Sequence, residues 1–433
     1  MTTWQEIYHR LDPTQPLEAN DERLDRDLYL NDFFRSVRTQ VLINKEKNYK
    51  LLFSGHNGCG KSTFLNLLAD DKEIKADFHL VKYSIKEIVD PNLADYIDLL
   101  LSVAVQVINS LPEGWTETAG RLTEKATSLA QQLQGTIQRI TVEDQTTEAK
   151  AGGGIESGVA LLDFLKTKFF LKFQYEEKTR EEVRRQYTTK ITDFITLIND
   201  ILTEAEVYLN KKILILIDDT DKLPPEKGLK IFFDNGHHLA SPRANILFVI
   251  DVSLSTSSQY RAISAKFNGE EFFPAVKIRE RDSRETDRTK RNVAILQELV
   301  SKRVPPELID GPVLKMAIDY SGGVVRELIR ILQQAILNAT GRIREDNIEY
   351  ARLKIANSFN LYGRHTKILN SILNDPDWLA REEAKDDEPT VLELLYMPAI
   401  FQYRNGDEKW YRPNPILIKY LERLYPRETP LFK

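Results

Sequence analysis

Residues Gly55-His56-Asn57-Gly58-Cys59-Gly60-Lys61-Ser62 follow the apolar run Leu51-Leu52-Phe53. They match G-x-x-x-x-G-K-[ST], a phosphate-binding loop set between a strand and a helix. Its glycines let the backbone turn tightly and aim successive N–H groups at phosphate oxygens. A helix opening near Lys61 adds the positive end of its dipole. The expected contacts are Gly55, His56, Asn57, Gly58, Cys59, Gly60, Lys61, Ser62 and Thr63. Lys61 would reach the β- and γ-phosphates of ATP, and the Ser62 hydroxyl would ligate Mg²⁺. Cys59 sits beside that helix start and Lys61, which should lower its thiol pKa.

A second acidic motif stands downstream. Ile213 to Ile217 is a continuous apolar run ending in Asp218-Asp219. In an open parallel sheet, ligands sit at the carboxyl ends of the strands. We assign Asp218 to the metal and Asp219 to the attacking water. The same acids also suit the cap of the following loop. Asp251 and Ser253 end another apolar run, where a polar group either touches the γ-phosphate or caps a helix. Ser321-Gly322-Gly323 breaks the chain before a helix whose first turn carries Arg326. From there an arginine reaches phosphate, or pairs with Glu327 or Asp319.

These groups need a scaffold. Strand-like runs at 51–54, 79–85, 212–217, 246–250 and 275–278 alternate with helical patterns at 32–44, 61–69, 96–110, 225–240 and 257–268. That alternation predicts an α/β fold with a parallel sheet. Residues 115–210 read as mostly helical, with a Gly152-Gly153-Gly154 break. Helical patterns at 287–303, 311–320 and 323–340 follow the last strand.

Charged residues make up 29% of the 433 and hydrophobic ones 42%, which suits a globular protein with a sizeable core. A net charge of −5 argues against a global field attracting nucleic acid. The single cysteine excludes an intrachain disulfide and fits a reducing, cytoplasmic setting. The first residues lack the layout of a signal peptide, and the longest apolar stretches are too short or too charged to span a bilayer.

Taken in order, GHNGCGKS, LILIDD, the polar strand end and SGGVVREL resemble the AAA+ and STAND branch of P-loop ATPases. They are most similar to bacterial P-loop proteins with a Phe-Ser-Gly-His-x-Gly-x-Gly-Lys-Ser-Thr signature, here Phe53 to Thr63. A signature motif of the ABC type would precede the acidic strand, whereas Ser-Gly-Gly follows it. The resemblance implies a five-stranded core, an origin-recognition-like helical lid, and switching or assembly driven by ATP. It makes Arg326 the lid arginine called sensor 2 and puts Asp251 or Ser253 near sensor 1. Arg261 falls where such proteins place an intersubunit arginine finger. KAP-type relatives carry membrane helices where this chain has its 112–210 insertion, which is too polar for that role.

The expected organisation is an ATPase core over 1–280 with the 112–210 insertion, a helical lid over 281–342, and a winged-helix-like domain over 343–433. Asn405-Gly406 between two alternating runs marks a hairpin wing. Arg404, Lys409 and Arg412 beside Tyr403, Trp410 and Tyr411 offer a DNA-binding surface across 399–412. The alternative is a docking module whose aromatics pack internally, which the acidic run at 382–388 favours. Two functional readings follow: a self-assembling or partner-binding ATPase switch of a bacterial regulatory or defence system, and an ATP-regulated DNA-binding protein.

Overall fold

The computed structural model describes residues 4–144, 162, 165, 170–405 and 408–426. The Gly152–Gly154 break and the hairpin glycine Gly406 lie outside them. Five parallel strands form the central sheet: β1 (Lys50–Gly55), β2 (Phe78–Ser84), β3 (Lys212–Asp218), β4 (Asn245–Asp251) and β5 (Gly269–Phe273). Their spatial order is β2-β3-β4-β1-β5, and every pair is parallel. β1, β3 and β4 occupy the centre, where both faces are covered, so their sequences are unbroken apolar runs.

Side chains alternate between two layers. Ile213, Ile215 and Ile217 enter a core filled by the helix Tyr96–Asn109 and the insertion helices Gly120–Asp144, Glu177–Thr189 and Ile191–Leu209. Leu214, Leu216 and Phe53 point the other way, towards Phe64 and the helix Asp32–Ile43. The described part of the insertion therefore covers one face of the sheet.

The edge strand differs from expectation. β5 is Gly269-Glu270-Glu271-Phe272-Phe273, while Ala275 to Ile278 is irregular. Its acids disguised it: Glu271 accepts from Gln40, and Phe272 and Phe273 alone supply apolar burial. The expected helix over 257–268 shrinks to Tyr260–Ser264, and that over 225–240 is split by a wider π-helical turn at Lys230–Asp234.

Beyond the sheet stand the helices Asp287–Ser301, Gly311–Ser321, Val325–Ile336 and Glu345–Asn357. The last was not foreseen, nor was Trp4–Arg10, which packs on Val325–Ile336 through the buried Ile7. The C-terminal module comprises the helices Gly363–Asn374 and Glu388–Tyr396, the antiparallel hairpin of β6 (Ile400–Asn405) and β7 (Glu408–Pro413), and the helix Pro415–Leu424. Its apolar core is continuous with that of the preceding helices.

Candidate nucleotide site

The glycine loop runs from the end of β1 into the helix Lys61–Asp70. That helix has no side-chain cap, so its first-turn N–H groups are left to a ligand. Gly58, Gly60, Lys61, Ser62 and Thr63 line a cavity of about 400 Å³. Gly58 has φ +90°, and any Cβ there would collide with Arg326. The contact is built in, since the Arg326 backbone N–H donates to the Gly58 carbonyl at 3.0 Å. Lid and loop are thus joined directly. Arg326 also lines the cavity, its Nε donating to the Pro13 carbonyl at 3.0 Å.

The Lys61 ammonium donates to the carbonyls of Gly55 and His56 at 2.7 and 2.9 Å and lies 2.7 Å from Asp221. Asp218 ends β3 and shares a hydrogen bond with the Ser62 hydroxyl. Burial pushes its carboxyl up, reinforced by the charges of Asp221 and Asp219. A cation would relieve that crowding of acids, so Ser62 and Asp218 fit a divalent metal. Asp219 follows with φ +61°, held by Lys86 at 2.9 Å and by the Ser84 hydroxyl at 2.7 Å.

The family model described as KAP family P-loop domain matches residues 36–273. The chain belongs to the KAP family. Among solved structures, this KAP-family chain is similar to the Walker-type ATPase PABY2304 of Pyrococcus abyssi. They share 13% identity at a TM-score of 0.45, over 95% of this chain and 99% of that one. It is also similar to Cdc6p from Pyrobaculum aerophilum, with 9% identity, a TM-score of 0.40, and coverage of 96% and 97%. No curated protein matches the chain. No described helix of this KAP chain is long and apolar enough to cross a membrane.

The structure brings Gly58, Gly60, Lys61, Ser62, Thr63, Asp219 and Arg326 to one cavity. His56, Asn57 and Cys59 do not line it. His56 is fully buried and turned towards β6, where its Nε2 accepts the Gln402 backbone N–H. Cys59 is buried as well, and burial pushes its thiol up to about 11. The expected lowering by Lys61 is real in sign but loses to desolvation. Gly55 is buried at the end of β1, beside Asp251 of β4. Asp251 accepts the Ser253 N–H at 2.8 Å, so it is a helix cap as well as a strand end. Arg261 is exposed on Tyr260–Ser264 and does not line the cavity.

Several cavity residues were not foreseen. The segment around Pro13, Thr14 and Leu17 forms one wall, pinned where the Leu17 N–H donates to the Thr63 hydroxyl at 3.1 Å. Lys86, Asp221, Lys222 and Arg303 add charge. Asp221 and Lys222 lay within a motif read as a loop. Pro13 and Pro16 mark a loop in the sequence, but nothing in their types marks a wall.

The expected aromatic platform of the hairpin is absent. Tyr403, Trp410 and Tyr411 are all buried. The Arg404 guanidinium lies 4.1 Å from the centre of the Phe272 ring, and Arg412 donates to the Arg281 carbonyl at 2.6 Å. The helix Glu388–Tyr396 packs on the core helix Val252–Thr256, and Glu388 accepts the Ser258 N–H at 2.7 Å. These rings pack inside the fold, and this helix lies against the ATPase core.

Proposed function

We propose that this KAP-family chain is an ATP-hydrolysing switch whose nucleotide state controls self-assembly or partner binding. The observation that carries this reading is convergence on one cavity: the glycine loop, Ser62 with Asp218 hydrogen-bonded behind it, Asp219, and Arg326 from a separate helical layer. Lys61 would hold the β- and γ-phosphates. Ser62 and Asp218 would hold Mg²⁺, which supplies charge neutralisation on the phosphates. Asp219 would orient and deprotonate the attacking water. Arg326 would stabilise the charge of the transition state. Arg261 is exposed, as an arginine serving a neighbouring copy has to be.

Phosphate release by the purified chain tests the chemistry. It should depend on Mg²⁺ and disappear in Lys61→Ala. Turnover that survives in that variant would refute the assignment. Mass photometry with and without ATP tests the assembly reading, and a single mass under both conditions would remove self-assembly. The regulatory or defence setting rests on the resemblance of the Phe53–Thr63 signature.

A further inference from the structure

Two residues of the phosphate loop have a task other than phosphate. His56 Nε2 accepts the backbone N–H of Gln402 in β6 at 2.6 Å, and its ring meets Phe401 edge-on at 5.4 Å. Both His56 and Gln402 are fully buried. An imidazole that accepts there must be neutral, and burial holds it so, with its pKa down at about 3. Asn57 Nδ2 donates to the Tyr396 carbonyl at 3.3 Å and to Asp251 at 3.4 Å, while its Oδ1 accepts from Lys222. The Tyr396 hydroxyl donates to the Lys222 carbonyl at 2.8 Å. Lys222 lines the cavity and pairs with Asp221 at 3.1 Å, which in turn holds Lys61. An unbroken polar chain therefore joins the C-terminal module to the phosphate-binding lysine. The same strand grips the lid, since the Tyr403 hydroxyl donates to the Gly322 carbonyl at 2.8 Å.

We propose that His56 and Asn57 are positioning residues that latch the C-terminal module onto the loop, making the module a structural part of the nucleotide site. The docked module holds the loop in its phosphate-binding shape. By reciprocity, bound nucleotide strengthens docking by the same factor that docking strengthens binding. This inference rests on reading the cavity as the nucleotide site.

The test is hydrogen exchange across residues 388–405 of the full chain, with and without Mg²⁺ and ATPγS, beside nucleotide affinity. His56→Phe keeps a ring but strands a buried N–H, whereas His56→Gln returns an acceptor near the Nε2 position. In His56→Phe, residues 388–405 should exchange about tenfold faster and nucleotide should bind about tenfold more weakly. His56→Gln should recover both, with exchange in 191–209, on the far face of the sheet, unchanged throughout. Unchanged protection of 388–405 in His56→Phe would overturn the latch. Faster exchange with unchanged affinity would overturn the coupling while sparing the nucleotide reading. A wild-type chain that binds no nucleotide would overturn both. Should His56→Phe not fold, Asn57→Ala reads the same latch from its less buried end.

Discussion

Lys61 and Asp221 form a buried ion pair at 2.7 Å, each side chain only 4% exposed. Burial alone would push the Asp221 carboxyl up, but Lys222 and Lys61 outweigh it and hold it far below the usual range. Arriving phosphates must take Lys61 away from this carboxylate. Replacing Asp221 with Asn leaves two ammonium groups short of an anion, a loss of about 3–5 kcal/mol for a broken buried pair. Phosphate can supply that missing charge. Nucleotide should therefore raise the melting temperature more in Asp221→Asn than in wild type. Equal shifts in the two proteins would show that Asp221 does not compete with phosphate for Lys61.

Asp219 is positioned differently from its neighbours. Its carboxylate is bound by Lys86 and Ser84 on the β2 side of the cavity, away from the Lys61–Asp221 pair. Loss of a general base costs about 100-fold or more in turnover. Asp219→Asn should show that loss in kcat with KM nearly unchanged. A variant that loses binding and turnover together would make Asp219 a ligand-holding group instead.

The central strands were legible in the sequence because a strand buried on both faces has to be apolar throughout, as in Ile213 to Ile217. β5 was not, since an edge strand pairs on one side only and tolerates Glu270 and Glu271. The loop residues that line the cavity, Gly58 and Gly60 to Thr63, were legible from spacing alone. What lies behind them was not, because His56–Gln402 and Leu17–Thr63 join residues far apart in the chain. Cys59 shows the same gap in energetic form. Its charged neighbour is visible in the sequence, but the burial that reverses the effect is not.

Gly323 marks a junction of three elements. Its carbonyl accepts the Val276 N–H at 3.0 Å, and at φ +80° any Cβ would collide with the Val276 carbonyl. Gly341 has the same φ, with nothing within 4 Å of its missing Cβ. Gly341→Ala should therefore cost only the backbone strain, about 1 kcal/mol. Gly323→Ala adds overpacking against fixed backbone, for a total of about 2–4 kcal/mol. Urea unfolding of the two variants separates these costs. Similar midpoints would mean that the junction opens to admit a methyl group.

Asp251 ends β4 beside the loop, fully enclosed, with Ser253 and Asn57 on its two oxygens. Burial pushes its carboxyl up to about 6, against an ordinary value of about 3.9. The folded chain thus holds this proton more tightly than the unfolded chain does. The stabilisation is complete below about pH 4, declines as the unfolded state ionises, and is lost once pH passes about 6. Asp251→Asn cannot ionise, so between pH 4 and 6 it should gain on wild type by an amount on the order of 2 kcal/mol, then hold that margin towards pH 7. Unfolding free energies of the two proteins measured across this range decide the matter. Curves that stay parallel would mean Asp251 keeps an ordinary pKa and its charge is met within the fold.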